Sequence, residues 1–186
     1  FHLNCYYRPS RDDPPGTKPA WAAMIAAVTD LGGAITGVHR TWLDKVAIDK
    51  APVAYPRRAM GHLLGHGVRF GVAGPVMAAG EGVETMLSLR RVLPIMPMIA
   101  GLSANHLAAT AFPACLRRLY VARDDDPAGD GAVATLTLRA QAAGIELVPL
   151  GPTLDDFNTD LRRYGADRLR ASLRTQIVAS DVARFL

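Results

Sequence analysis

The sequence predicts an α/β protein: a parallel sheet of about four strands flanked by helices, preceded by a small mixed α+β subdomain rich in strands. Three observations predict it. After Ala73-Gly74-Pro75, short apolar runs alternate with amphipathic stretches, as strand–helix–strand crossovers do. Before that point, β-prone segments are separated by turn-rich stretches. Two of the later apolar runs end on acids, and the carboxyl ends of parallel strands are where open sheets bind ligands.

Taken in order, Leu3 to Arg8 is β-prone and stops at Pro9. Residues 10–19 hold three prolines, a glycine and two aspartates and read as an exposed loop. Trp21 to Thr29 is ambiguous, because its alanines favour helix while flanking turn signals allow a strand. Gly32-Gly33 turns the chain into a strand over Ala34 to Leu43, and Val68 to Val72 is a short strand before the boundary. Beyond it, Val76 to Gly80, Met96 to Leu102, Arg117 to Asp124 and Ile145 to Leu150 read as the four strands. Helices are expected over Val83 to Leu93, stopped by Pro94, and from Ser103, a capping residue, to about Ala111. A third covers Ala128 to Ala143 and is closed by Gly144; a fourth covers Asp160 to Ile177 with a bend near Gly165. The two expected parts are residues 1–73 and 74–186.

The chain has 186 residues, 49% of them hydrophobic and 20% charged, which suffices for a core and argues against global disorder. No apolar run is long enough to span a bilayer, and Phe1-His2-Leu3-Asn4 lacks a signal-peptide profile. Without an initial Met the sequence reads as a piece of a longer protein. Cys5 and Cys115 form no metal or redox motif and read as two buried thiols of a cytoplasmic protein. A net charge of +4 is compatible with a polyanionic partner without specifying one.

The chemistry lies in the acids. Glu81-Gly82 follows the apolar run 76–80, and Asp124-Asp125-Asp126 follows the run 119–122 through Arg123. Carboxylates on neighbouring strand ends repel, and a divalent cation relieves the repulsion; an all-oxygen donor set favours Mg²⁺ or Mn²⁺. The pattern thus points to metal-dependent phosphoryl transfer. On an extended strand end Asp124 and Asp126 share one side, so they form the preferred pair, while Asp126 also suits a helix cap before Pro127. Glu84 reads first as an acid complementing a helix N-terminus. Asp155 and Asp156 are open to capping or metal binding. His62 and His66 have i,i+4 spacing, but the glycines around them disfavour a helix and no third zinc ligand is evident.

In that order the motifs resemble a Toprim domain, the catalytic module of bacterial-type primases, type IA and II topoisomerases and some nucleases. Glu81-Gly82-Val83-Glu84-Thr85 resembles the family's strand-end glutamate and turn, and Asp124-Asp125-Asp126-Pro127-Ala128-Gly129 its D-x-D and helix. Asp155-Asp156-Phe157-Asn158 resembles the later acidic motif of primase-like members, with Asn158 placed to orient Asp156. Gly101-Leu102-Ser103-Ala104, and the earlier Gly37-Val38-His39-Arg40-Thr41-Trp42-Leu43-Asp44 with Lys50-Ala51, are similar to segments of primase-like proteins from phages, plasmids and integrated elements.

The resemblance implies a DNA primase-like catalytic core that makes primers on single-stranded DNA from nucleoside triphosphates with Mg²⁺ or Mn²⁺. Glu81, Asp124 and Asp126 would be catalytic; the same three with Asp156 would hold metal. Arg40, Lys50, Arg57 and Arg58 would contact template and triphosphate, whereas Arg162, Arg163, Arg168, Arg170 and Arg174 would mostly solubilise a helix. Zinc-ribbon cysteines and a helicase P-loop are absent from this sequence, so zinc-binding or helicase domains would belong to other parts of the parent protein. The competing expectations are a Toprim nuclease with water as nucleophile and a non-catalytic nucleic-acid-binding module. No room exists for the separate tyrosine domain of a topoisomerase.

Overall fold

In the computed structural model, which describes residues 1–186, the chain forms two five-stranded sheets, one after the other. The first is antiparallel throughout: β1 (His2–Tyr6), β2 (Ala20–Thr29), β3 (Ile35–Asp44), β4 (Asp49–Lys50) and β5 (Arg57–Gly61), the last two both paired with β3. The ambiguous segment 21–29 is a strand. Its hairpin partner settles the matter: Ala23 stands opposite Trp42, both fully buried, and the small side chain leaves room for the indole. Tyr7 meets Trp42 edge-on at 5.0 Å between ring centroids, and Cys5 and Ala51 complete this small core. The turn between β2 and β3 is held by Asp30, whose Oδ1 accepts from the Ala34 amide at 2.9 Å, with Gly33 at φ +86°.

The short strands β4 and β5 carry little periodicity and were not expected from the sequence. Gly61 ends β5 at φ +108°, pressed so close to the Thr36–Gly37 backbone that a Cβ has no space.

The second sheet contains β6 (Val68–Phe70), β7 (Val76–Gly80), β8 (Met98–Ala100), β9 (Arg118–Ala122) and β10 (Glu146–Leu150), in the order β10-β9-β7-β8-β6. The four later strands are mutually parallel, as expected, and β6 is antiparallel at the edge. Helices α1 (Val83–Val92), α2 (Ala104–Ala108), α3 (Pro127–Ala142), α4 (Phe157–Gln176) and α5 (Ala179–Phe185) cover its two faces. Period-two alternation divides the core. Ala78 and Tyr120 face α1, α4 and α5, against Met86, Leu89, Phe157, Leu173 and Phe185. Met77, Ala79, Leu119 and Val121 face α2 and α3, against Leu107, Leu136 and Ala140. The larger fully buried side chains among them, such as Met86, Leu89 and Phe157, each contribute about 1.5–3 kcal/mol.

Several details depart from the sequence reading. Although β6 precedes Gly74, it pairs with β8 of the second sheet, and a bridge between Thr29 and Gly67 ties it to β2. The covalent change of pattern and the change of sheet therefore do not coincide. Gly165 bends α4 with φ +80° and ψ 173°, near the expected place, but the helix starts at Phe157, three residues early. Helix α5 was unexpected; Ile177, in extended conformation, and Val178 separate it from α4. Cys115 is exposed, so only Cys5 is a buried thiol; of residues 111–117 only Leu116 is buried in the core. No helix is long and apolar enough to cross a membrane.

Candidate active site

Adjacent parallel strands β7 and β9 are in register at Gly80 and Ala122, so the residues that follow them emerge side by side. Glu81 leaves β7 just ahead of Gly82, the N-cap of α1, and its carbonyl accepts from the Leu102 amide at 2.8 Å. Asp124 leaves β9 two residues after its end. The β10–α4 loop comes to the same edge: the Arg123 amide donates to the Leu150 carbonyl at 3.0 Å, and the Asp125 amide donates to the Asp155 carbonyl at 2.9 Å.

Two of the acids are also caps. Asp126 Oδ1 accepts from the Gly129 amide at 2.7 Å, and Asp156 Oδ1 accepts from the Thr159 amide at 2.6 Å. Each keeps its second oxygen unspent. Gly129 is required here, because a Cβ would collide with the Asp124 carbonyl. Asp125 points away to an ion pair with Arg123 at 2.7 Å, and Asp130 holds the same arginine at 2.6 Å. Asn158 makes no hydrogen bond to Asp156; it accepts from Ser88 at 3.4 Å.

Glu81, Asp124, Asp126 and Asp156 all line one cavity of about 520 Å³, together with His39, Lys50, Arg57 and Arg58 of the first sheet. Burial, then the charges of Glu81, Asp156 and Asp126, push the Asp124 carboxyl up to about 6. Burial and the Asp126 charge likewise raise Glu81. Asp124 Oδ1 is buried with no hydrogen-bond partner, an oxygen lacking a counter-charge. Oxygen donors, mutual repulsion and this orphaned atom fit a hard divalent cation. No group of three or more carboxylate, imidazole or thiol side chains stands in ready coordinating geometry. Mg²⁺ often takes one or two carboxylates and fills its shell with waters and substrate phosphates, so separated oxygens remain a suitable set.

Because Asp124 holds its proton more tightly folded than unfolded, the ligand-free chain is most stabilised by this group in acid and loses that contribution as pH rises through about 6. The proton also competes with metal. Mn²⁺ affinity, followed by calorimetry from about pH 5 to 8, is expected to climb roughly tenfold per unit below about pH 6 and level off above. A flat profile would exclude Asp124 as a ligand.

The basic residues divide by strand face. Thr41 opposes Arg57, and Arg57 reaches across to Glu84 at 3.7 Å, where Lys50 also arrives at 3.8 Å. Glu84 is indeed in the first turn of its helix, but its carboxylate serves the seam between the sheets. Arg40 opposes Arg58 on the other face. Arg40 lies over Trp42 at 5.0 Å and does not line the cavity; Arg58 does line it while stacking on Tyr7 at 4.5 Å. His62 and His66 lie elsewhere, with His66 Nδ1 at 3.0 Å from the His62 carbonyl.

Three contributors were not singled out as site residues in the sequence. His39 is buried on the cavity wall, and desolvation lowers its affinity for a proton. Leu102 takes φ +80°, a costly conformation for a leucine, on the loop whose Ser103 caps α2 beside the cavity. Asp160, only 2% exposed, accepts from the Thr153 and Leu154 amides at 2.7 and 2.9 Å and so fixes the turn that presents Asp156. An acid four residues after a capping aspartate was its one visible signal.

With this geometry in hand, comparison with known proteins gives the class. Residues 76–167 match the model of a Toprim domain, and residues 1–70 match a domain of unknown function, DUF7146. Residues 76–167 are a Toprim domain. No curated protein sequence matches the chain. Among solved structures it is similar to the primase fragment of the bacteriophage T7 primase-helicase protein, with TM-score 0.58 and 18% identity, covering 86% of this chain and 66% of that one. It is also similar to the Aquifex aeolicus primase zinc-binding and RNA polymerase domains, with TM-score 0.54 and 17% identity over 90% of this chain and 44% of that one. A DNA primase domain from Pseudomonas aeruginosa gives TM-score 0.52 and 17% identity over 94% and 56%. The chain thus shares a primase-type fold and spans less than two thirds of these chains.

Proposed function

We propose that this chain is the catalytic core of a DNA primase-like protein, transferring nucleotidyl groups from nucleoside triphosphates to build primers on single-stranded DNA. One observation carries the reading: a single cavity joins five carboxylates, Glu81, Glu84, Asp124, Asp126 and Asp156, to Lys50, Arg57 and Arg58 of the preceding sheet. That pairing of acids and bases suits a substrate that carries both phosphates and a divalent cation.

In the reaction, a 3′-hydroxyl oxygen bonds to the α-phosphorus of the incoming triphosphate, the bond to pyrophosphate breaks, and the hydroxyl proton leaves. Glu81, its proton affinity raised by burial, is suited to take that proton. Asp124, Asp126 and Asp156 would hold Mg²⁺ or Mn²⁺, which when bound offsets charge on the reacting phosphate oxygens. Lys50, Arg57 and Arg58 would hold triphosphate and template. Arg40, stacked on Trp42 away from the cavity, would have the smaller share. Template and triphosphates would place the work in the cytoplasm, with helicase or zinc-binding domains supplied by the parent protein.

The test uses the parent protein with single-stranded template, nucleoside triphosphates and Mg²⁺. Glu81→Gln should preserve strand binding and lose primer synthesis. Lys50→Ala with Arg57→Ala should weaken strand binding and reduce the slope of its logarithmic salt dependence by about 0.7 per lost phosphate contact. Normal synthesis by Glu81→Gln would overturn the reading. Shortening of the strand would point to a nuclease, and binding without any metal-dependent chemistry to a non-catalytic module.

A further inference from the structure

Lys50 and Arg57 are the two cations that cross from the first sheet towards the Toprim edge, and both converge on one carboxylate. Glu84 lies in the first turn of α1, one residue beyond the Val83 start and three beyond Glu81. Its distances to the ammonium and guanidinium, 3.8 and 3.7 Å, are charge contacts too long for good hydrogen bonds. Neither cationic head makes any other ion pair, and their donors are unspent. The two side chains are 40% and 50% exposed, and Glu84 is the one ion-pair partner of each.

Arg57 also feels the site acids: its charge lowers the proton affinity of both Glu81 and Asp124. A guanidinium free to swing would pair with those carboxylates bidentately and occupy the place a metal needs. Glu84, on the wall of the same cavity, offers it a competing charge.

We propose that Glu84 is a positioning residue: it draws Lys50 and Arg57 off the metal-binding carboxylates and holds them, donors unspent, as a preformed clamp for the phosphates of a nucleotide. The clamp rests on the functional reading above, in which these cations meet substrate phosphates. It also makes the start of α1 one joint between the sheets, since Glu81 and the anchor for the opposing cations stand three residues apart there. On this account, neutralising Glu84 weakens phosphate binding even though it raises the net positive charge around the cavity.

Calorimetry of the full chain with ATP in the presence of Mn²⁺ tests this, with thermal melts checking the fold. Glu84→Gln should bind about fivefold more weakly, the scale expected when two half-exposed cations lose a shared partner. Glu84→Ala, which suits a helix, should match it and serves if the glutamine variant fails to fold. In a Lys50→Ala, Arg57→Ala background the same change at position 84 should have no further effect. Wild-type or tighter binding by both single variants would overturn the proposal, and so would a loss that persists in that background, since it would not pass through the cations. If the Lys50→Ala, Arg57→Ala chain itself binds ATP as wild type does, the reading that these cations hold phosphates fails first, a result separable from failure at Glu84 alone.

Discussion

Replacing Asp124 and Asp126 together with alanine is expected to abolish the Mn²⁺ response of the chain and to cut primer synthesis by the parent protein about a thousandfold, roughly 4 kcal/mol of barrier. The effect is large because the two residues fail in different ways. Asp124 supplies the buried, unpartnered oxygen and a carboxyl already pushed up to about 6 by its neighbours. Asp126 supplies one free oxygen while its other caps α3 through the Gly129 amide. Asp126→Ala alone would therefore also cost about 1 kcal/mol of stability as a lost cap. Asp124→Ala should instead stabilise the metal-free fold at neutral pH, because it removes a charge the fold disfavours. A variant pair that is more stable in one member, less in the other, and inactive in both would separate site chemistry from folding. Unchanged Mn²⁺ binding in the double variant would remove both residues from the site.

Most of the Toprim layer was legible because its signals are local. Val76 to Gly80 is apolar without a break, and the strand matches that run. Glu81 and Asp124 stood out because an acid directly after such a run has few structural reasons to be there. Asp126 and Asp156 were legible as caps for the same local reason. What escaped depends on contacts distant in sequence. The strand preceding Gly74 looked like part of the first unit, yet its three residues are spent on β8, some thirty positions later. Arg40, Lys50, Arg57 and Arg58 were visible as charge, but which arginine reaches Glu84 depends on the register of β3 with β5. A one-residue slip would exchange Arg57 for Arg58. Glu84 read first as a helix-terminal acid, and its pairing with Lys50 and Arg57 depends on how the first sheet lies against α1.

The largest structural effect is expected at a residue far from the cavity. Asp181, on the unforeseen helix α5, is 7% exposed in its side chain and accepts from Arg118 at 2.6 Å and from the Tyr120 hydroxyl at 2.7 Å. Tyr120 is fully buried in the centre of β9, and its oxygen in turn accepts from the Val178 amide at 3.1 Å, at the α4–α5 joint. Burial and the bond to Asp181 push the Tyr120 hydroxyl up to about 12, and the same carboxylate holds the Arg118 proton more firmly than usual. One carboxylate thus pins the last helix to the strand that leads to Asp124. Asp181→Ala leaves a buried hydroxyl without its acceptor and Arg118 with only Glu146, at 2.8 Å on a half-exposed side chain. We expect a loss of about 2–4 kcal/mol and a fall of roughly 5–10 °C in Tm. Asp181→Asn, which can still accept both bonds, should lose about half as much. Because the cluster lies below the sheet edge, Mn²⁺ affinity measured well below the transition should stay within about twofold of wild type. A melt unchanged in Asp181→Ala would mean that α5 is held by Phe185 and its apolar neighbours alone; lost Mn²⁺ affinity at low temperature would mean that the strand end itself depends on this anchor.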